Sequence, residues 1–239
     1  MTESATIMAP KQHSCTRRTR VKLCGLCSEG DVDLAVALGA DAIGLVFYPP
    51  SPRCVSIELA SALVRRIPAF VSVVGLFVNA DNTLFERVID EVPLGILQFH
   101  GDETPQRCKA LADRAGLRWL RTLHISPDTK PTDLDKLALN YACATGLLFD
   151  TLVAGYGGGG KVFDWSLIPA KIAHRGIFSG GLNSQNVANV IHRIRPYAVD
   201  VSSGIEVANA KGVKDYIKMA AFIHAVRAAD EVSSAIGTP

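Results

Sequence analysis

Residues 21–47 read VKLCGLCSEGDVDLAVALGADAIGLVF, and how they divide decides the fold. Val21–Cys24 is a short apolar run closed by Gly25. Ala42–Phe47 (AIGLVF) is a second, and Asp31–Leu38 between them keeps a helical period. Two strands joined through a helix read as parallel neighbours, because a parallel pair needs a long crossover.

Outward from this unit, the pattern repeats to the C-terminus. A loop through Tyr48-Pro49-Pro50-Ser51-Pro52-Arg53 leads to Ser56, a candidate cap for a helix that ends before Pro68. Phe70–Val78 (FVSVVGLFV) is the third run, and Leu84, Phe85, Val88 and Ile89 mark one face of its helix. Gly95–Phe99 is the fourth. Thr104-Pro105 then offers a cap with proline at the first helical position, ahead of an apolar stripe of Cys108, Leu111, Ala112 and Ala115. Leu117–Leu123 and Gly146–Phe149 are the fifth and sixth runs, with short helices expected around Asp133–Asn140 and Trp165–Ala170. Gly176–Phe178 precedes a helix from Asn183 bearing Val187, Val190, Ile191 and Ile194. Ala198–Val201 is the eighth run, and Val213, Tyr216, Ile217, Ala220 and Ile223 are expected to mark the closing helix.

Eight such units, with no linker and no leftover segment, predict a single-domain α/β fold, a (β/α)8 TIM barrel over residues 21–230. A doubly wound open sheet is the rival architecture. Residues 1–20 show no apolar period and collect Lys11, Arg17, Arg18 and Arg20, so they read as a disordered N-terminal extension; residues 231–239 read as a C-terminal tail.

At 239 residues and 48% hydrophobic, the chain can bury a large core. A net charge of +2 offers no concentrated basic face for nucleic acid. No apolar run is long enough to cross a bilayer, and the N-terminus lacks the apolar stretch of a secretory signal. A soluble, cytoplasmic protein is expected, with no membrane partner. Its six cysteines, Cys15, Cys24, Cys27, Cys54, Cys108 and Cys143, then read as free thiols rather than a disulfide framework.

In such a barrel, chemistry gathers where strands end and loops begin. The residues there are Cys24-Gly25, Arg53, Gln98-Phe99-His100-Gly101, Asp150-Thr151, Ser179-Gly180-Gly181 and Asp200-Val201-Ser202-Ser203-Gly204. Gly155–Lys161 fits G-x-x-x-x-G-K, the start of a nucleotide P-loop, but Val162 stands where Ser or Thr is required. The run reads better as a lid whose backbone N–H groups approach an anion. Gly180-Gly181 and Ser203-Gly204 lie in the adjacent loops after runs seven and eight, where barrels often bind phosphate; the alternative is that they are tight turns.

Cys24 and Cys27 form a C-x-x-C, a redox pair or half a zinc site on one reading, yet no second metal pair accompanies it. Taken alone, Cys24 is a strand-end thiol that becomes a base once a neighbouring charge lowers its pKa, or else core filler. Asp150 complements it, because a carboxyl raised by partial burial donates a proton while a thiolate takes one; as a structural residue it caps a loop. Arg53, in a proline-stiffened loop, is placed to grip a carboxylate or else is solvated. Gln98 and His100 either orient a ligand or supply turn polarity. His13, His124, His174, His192 and His224 share no spacing and are expected to stay outside the chemistry.

In order and spacing, seven stretches resemble the signatures of the phosphoribosylanthranilate isomerase family. They are Val21-Lys22-Leu23-Cys24-Gly25; Gly44-Leu45-Val46-Phe47-Tyr48 with Ser51-Pro52-Arg53; Gln98-Phe99-His100-Gly101; Asp150-Thr151; Gly157–Lys161 with Phe163-Asp164-Trp165; Ser179-Gly180-Gly181-Leu182-Asn183; and Asp200-Val201-Ser202-Ser203-Gly204-Ile205-Glu206. The resemblance covers Val21 to Arg227. It implies a tryptophan-biosynthesis enzyme that performs an Amadori rearrangement of a phosphosugar without metal or cofactor, as a monomer or homodimer. It further implies Asp150 as general acid and Cys24 as general base, and Arg53 on the anthranilate carboxylate. Gln98, His100 and Asp200 fall among the substrate-binding positions, and Gly158, Gly180, Gly181, Ser203 and Gly204 among those that bind phosphate. Three residues depart from the pattern. Phe99 replaces a usual leucine, Leu152 a residue often polar, and Cys27 a common threonine, a change expected to weaken a helix cap. The paired-aspartate isomerase of histidine biosynthesis is a rival that Cys24 argues against. A non-catalytic phosphosugar binder and a thiol or metal protein are rivals of another class.

Overall fold

A computed structural model describes residues 18–151, 164–173 and 175–236, with side chains as far as residue 232. The expected extension up to residue 17, the glycine lid with Gly158, and His174 lie outside the described residues. Eight parallel strands close into one barrel in sequence order: β1 Arg20–Cys24, β2 Ala42–Phe47, β3 Ser72–Phe77, β4 Ile96–Phe99, β5 Arg118–Ile125, β6 Gly146–Thr151, β7 Ile177–Phe178 and β8 Ala198–Val201. β8 returns to β1 in register, Lys22 opposite Asp200.

Helices fill the crossovers: α1 Glu29–Ala37, α2 Ile57–Val64, α3 Asn82–Glu91, α4 Pro105–Ala115, α5 Pro131–Asn140, α6 Ala170–Ala173, α7 Val187–Ile194 and α8 Tyr216–Ile236. Their starts follow from side-chain caps that satisfy otherwise orphaned N–H groups. Ser56 accepts from Leu59 and Thr104 from Arg107, as their positions in the sequence predict. The cap of α1 is Ser28, in a reciprocal box with Asp31. Cys27 therefore stands one residue outside the cap, and its replacement of threonine weakens nothing there.

The main core lies between the strands' outer faces and the helices, around Leu23, Leu45, Phe77, Phe99, Phe149 and Phe178. Inside the barrel two small apolar clusters, Cys24–Val46–Leu76–Val78 and Leu120–Leu148–Ile177–Ala198, are separate from that core. Inward-facing Lys22, Gln98, Thr122 and Asp200 are also buried. Strand alternation forces this: Lys22 and Cys24, or Gln98 and His100, share a face because they are two residues apart. A charged layer in a barrel interior is expensive unless paired, and Lys22 Nζ donates to Asp200 Oδ1 at 2.9 Å.

Four expectations need correction. Arg18–Arg20 belong to the barrel: Arg20 opens β1, Thr19 donates to Asp230, and Arg18 pairs with Asp41. Their polarity had hidden this from an apolar-run reading. The closing helix runs to Ile236, into the expected tail, and buries Met219, Phe222, Ile223 and Val226, while Val213, Tyr216 and Ile217 are exposed. β3 starts at Ser72, and Phe70 is fully exposed in the loop before it. His124 lies inside β5, which extends to Ile125.

Candidate active site

At the C-terminal mouth a cavity of about 60 Å³ gathers Cys24, Arg53, Gln98, His100, Asp150 and Asp200, with Ser179 and Ser202. All six side chains expected at the catalytic and substrate positions therefore meet in one place. A larger hollow of about 710 Å³ opens at the opposite mouth, lined by Arg20, Arg118 and Arg175. Its one carboxylate, Asp41, is engaged by Arg18 and the Val21 N–H. Among the described residues no acid–base pair stands there, so size does not locate the chemistry.

Asp150 is the penultimate residue of β6, with 13% of its side chain exposed. Burial, and then the Asp200 carboxylate, push its carboxyl up to about 7, against the Thr151 N–H that Oδ1 accepts at 2.8 Å. His100 approaches Asp150 Oδ2 through Nε2 at 3.5 Å. Burial, reinforced by His124, Lys22 and Arg121, holds the imidazole well below its usual pKa, so it is neutral. Gln98 Nε2 sits 3.2 Å from His100 Nδ1 and 3.2 Å from Thr122 Oγ1. With Gln98 as donor, His100 carries its proton on Nε2, facing Asp150. Gln98 Oε1 is buried without a hydrogen-bond partner among the described residues.

The loop after β4 is held by a buried ion pair. Arg121 donates to Glu103 Oε2 at 2.9 Å and to the Gly101 carbonyl at 2.8 Å, while Glu103 accepts from the Gly101 and Asn79 N–H groups. His124 stacks edge-on against His100 with centroids 4.9 Å apart, and its Nε2 lies 2.9 Å from the His100 carbonyl oxygen. His124 thus packs behind the His100 imidazole without lining the cavity itself.

Cys24 is buried at the end of β1. Burial pushes its thiol up, opposed chiefly by the Lys22 ammonium. Cys27 is also a free thiol, and its Sγ donates to the Arg53 carbonyl at 3.4 Å. The described residues hold no cluster of three or more His, Cys, Asp or Glu suited to a metal.

Arg53 is buried, and the carboxylate it grips is the chain's own. Nε and Nη2 donate to Glu206 Oε1 and Oε2 at 2.6 and 2.9 Å, leaving Nη1 outside the pair. Lys214 joins from the other side, donating to Glu206 Oε1 at 3.1 Å and to the Ser202 carbonyl at 3.1 Å.

The loops after β7 and β8 pack against each other. Gly180 and Gly181 adopt positive φ of 81° and 65°, a region that favours glycine. A Cβ on Gly204 would drive into the Leu182 carbonyl. Among the described residues, the N–H groups of Gly180, Gly181, Ser203 and Gly204 donate to no carbonyl. Amides left unengaged in neighbouring loops are the donors an anion cradle would need.

The family profile for N-(5'-phosphoribosyl)anthranilate isomerase matches residues 21–225. The chain belongs to that family. It is an isomerase, and its setting is tryptophan biosynthesis. The N-(5'-phosphoribosyl)anthranilate isomerase of Ralstonia nicotianae is 58% identical over 222 residues, covering 89% of this chain and 94% of that protein. Among solved structures, phosphoribosyl anthranilate isomerase from Thermotoga maritima superposes with a TM-score of 0.77 at 39% identity, covering 88% and 99% of the two chains. Another, in complex with reduced 1-(o-carboxyphenylamino)-1-deoxyribulose 5-phosphate, gives 0.74 at 36% identity over the same shares.

Three residues of this isomerase's site escaped the reading of single positions: Lys22, Glu206 and Lys214. Lys22 carried the one available signal. A lysine inside an apolar run, two residues before Cys24, must face the same way as the thiol.

Proposed function

We propose that the protein converts N-(5'-phosphoribosyl)anthranilate to 1-(2-carboxyphenylamino)-1-deoxyribulose 5-phosphate, with Asp150 as general acid and Cys24 as general base. The observation that carries this is a carboxyl held near 7 and a thiol lining one cavity from β6 and β1. An acid with a pKa near the working pH keeps its proton in a useful fraction of molecules and still releases it readily. Asp150 protonates the ring oxygen, and the C1′–O bond breaks as the anilino nitrogen lone pair forms an iminium. Cys24, as thiolate, removes the C2′ proton, and those electrons neutralise the iminium to give an enolamine. Reprotonation at C1′ and loss of the hydroxyl proton at C2′ yield the ketone, so no external oxidant or reductant enters.

The remaining groups bind. The amides of Gly180, Gly181, Ser203 and Gly204 take the phosphate. Arg53, oriented by Glu206, turns its free Nη1 edge to the anthranilate carboxylate. The unpartnered Gln98 Oε1 accepts from a substrate hydroxyl, His100 steadies Asp150, and Asp200 borders the sugar. No step calls for a metal or cofactor. The setting is cytoplasmic, in keeping with described helices of which none is long and apolar enough to cross a membrane. The assembly is a homodimer. One relative is described as dimeric, and Phe70 stands fully exposed beside the hollow at the N-terminal mouth.

Purified Cys24→Ala and Asp150→Ala should each lose most of kcat while binding a product analogue with parental affinity. Full turnover in either variant would remove that residue from the mechanism.

A further inference from the structure

Lys22 takes no part in the proton transfers above, yet it lies buried directly behind them. Lys22 and Cys24 leave the same face of β1. Nζ donates to Asp200 Oδ1, with side-chain exposures of only 4% and 6%. The ammonium is also the main charge that favours the Cys24 thiolate against burial. Both crowd the space above Gly44, where a Cβ would fall 2.7 Å from Sγ and 3.1 Å from Nζ. Gly44 is thus the gap that admits thiol and ammonium together. As a structural device the pair is a poor choice, since apolar residues of similar volume usually fill such a site at no loss of stability.

We propose that Lys22 is a positioning residue, whose ammonium, anchored by Asp200, favours the thiolate of Cys24 while Asp200 favours the protonated form of Asp150. The proposal rests on the reading of Cys24 as base and Asp150 as acid. Its sense follows from charge. A cation beside a thiol stabilises the anion, and an anion beside a carboxyl opposes a second negative charge. One buried ion pair therefore biases two reacting groups in opposite directions. Other elements contribute to the same field. Lys214, from the segment after β8, also favours the thiolate, while Asp200 opposes it. Asp150 faces neutral His100 from β4, and Lys22 and Arg53 act on it against Asp200.

Lys22→Gln keeps a donor toward Asp200 but removes the charge, and Lys22→Arg keeps the charge. Two readouts separate the possibilities: the pH dependence of iodoacetamide modification at Cys24, followed by mass spectrometry of its peptide, and the pH profile of kcat/KM. Lys22→Gln should raise the Cys24 titration by about one pH unit or more and lower kcat/KM at pH 7 about tenfold or more, with Lys22→Arg restoring both in part. Asp200→Asn should move both limbs of the profile downward, opposite to Lys22→Gln. A Cys24 titration that does not move in Lys22→Gln overturns the proposal, whatever happens to the rate. A titration that moves while kcat/KM stays parental refutes Cys24 as the base, and with it the catalytic role of Lys22, but leaves the coupling between them standing. Should Lys22→Gln fail to fold, Asp200→Asn decides: limbs that stay in place or rise overturn the proposal.

Discussion

Replacing Asp150 with asparagine should stabilise the fold while it removes the proposed catalytic acid. A carboxyl raised from 3.8 to about 7 is one whose ionised form the folded state disfavours. At about 1.4 kcal/mol per pH unit, the full penalty is on the order of 4 kcal/mol, and about 2–4 once water in the open part of the cavity is allowed for. The pH window follows from the two pKa values. Below 3.8 the group is neutral in folded and unfolded chains and imposes nothing. Between 3.8 and about 7 the unfolded chain releases its proton while the folded one holds it, so stability falls as pH rises. Above about 7 the loss is complete. Asp150→Asn removes the charge and keeps an acceptor for the Thr151 N–H. Urea unfolding of parent and variant at several pH values from 4.5 to 8 isolates the effect, because acid effects on distant groups cancel in the difference. The variant's advantage should grow across that range by about 2–4 kcal/mol, with kcat down by roughly 10²–10⁴. An advantage that stays constant with pH would refute the elevated pKa and the buried acid it describes.

Three further perturbations probe other parts of the site. Glu206→Ala strands the buried cations Arg53 and Lys214; it should cost about 3–5 kcal/mol in urea unfolding, and an unchanged midpoint would mean that the cluster is not buried in solution. Gly204→Ala forces the loop after β8 away from Leu182; KM and the inhibition constant of inorganic phosphate should rise about 10- to 100-fold, the worth of one lost charged hydrogen bond, with kcat changed only a few-fold. Parental phosphate affinity would remove that loop from the anion cradle. Phe70→Ser should shift the light-scattering mass from dimer to monomer, and an unaltered mass would take Phe70 out of the interface.

Much of this architecture is legible because each strand is short, apolar and bounded by turn chemistry. The proposed acid and base stand out for the same reason: Asp150 and Cys24 end apolar runs, where a polar group must open into a loop. What stays hidden depends on partners distant in sequence. Arg53 reads as a fork awaiting a ligand, and nothing local shows that Glu206, 153 residues on, already occupies two of its nitrogens. Lys22 is masked by its apolar neighbours and makes sense only opposite Asp200. The closing helix misleads because Val213, Tyr216 and Ile217 fit a helical period, while packing against the barrel selects Met219, Phe222 and Val226. Phe70 extends an apolar run in sequence and leaves it in space, since β3 pairs with β2 only from Ser72.

Turnover of phosphoribosylanthranilate at the cavity shared by Cys24 and Asp150 is the reaction proposed for this barrel. Adding the purified protein to freshly generated phosphoribosylanthranilate, in buffer containing a metal chelator, tests it most directly. A loss of substrate fluorescence that is catalytic in protein and abolished in Asp150→Ala is expected. Fluorescence that decays at the spontaneous rate, or equally fast with Asp150→Ala, would contradict it.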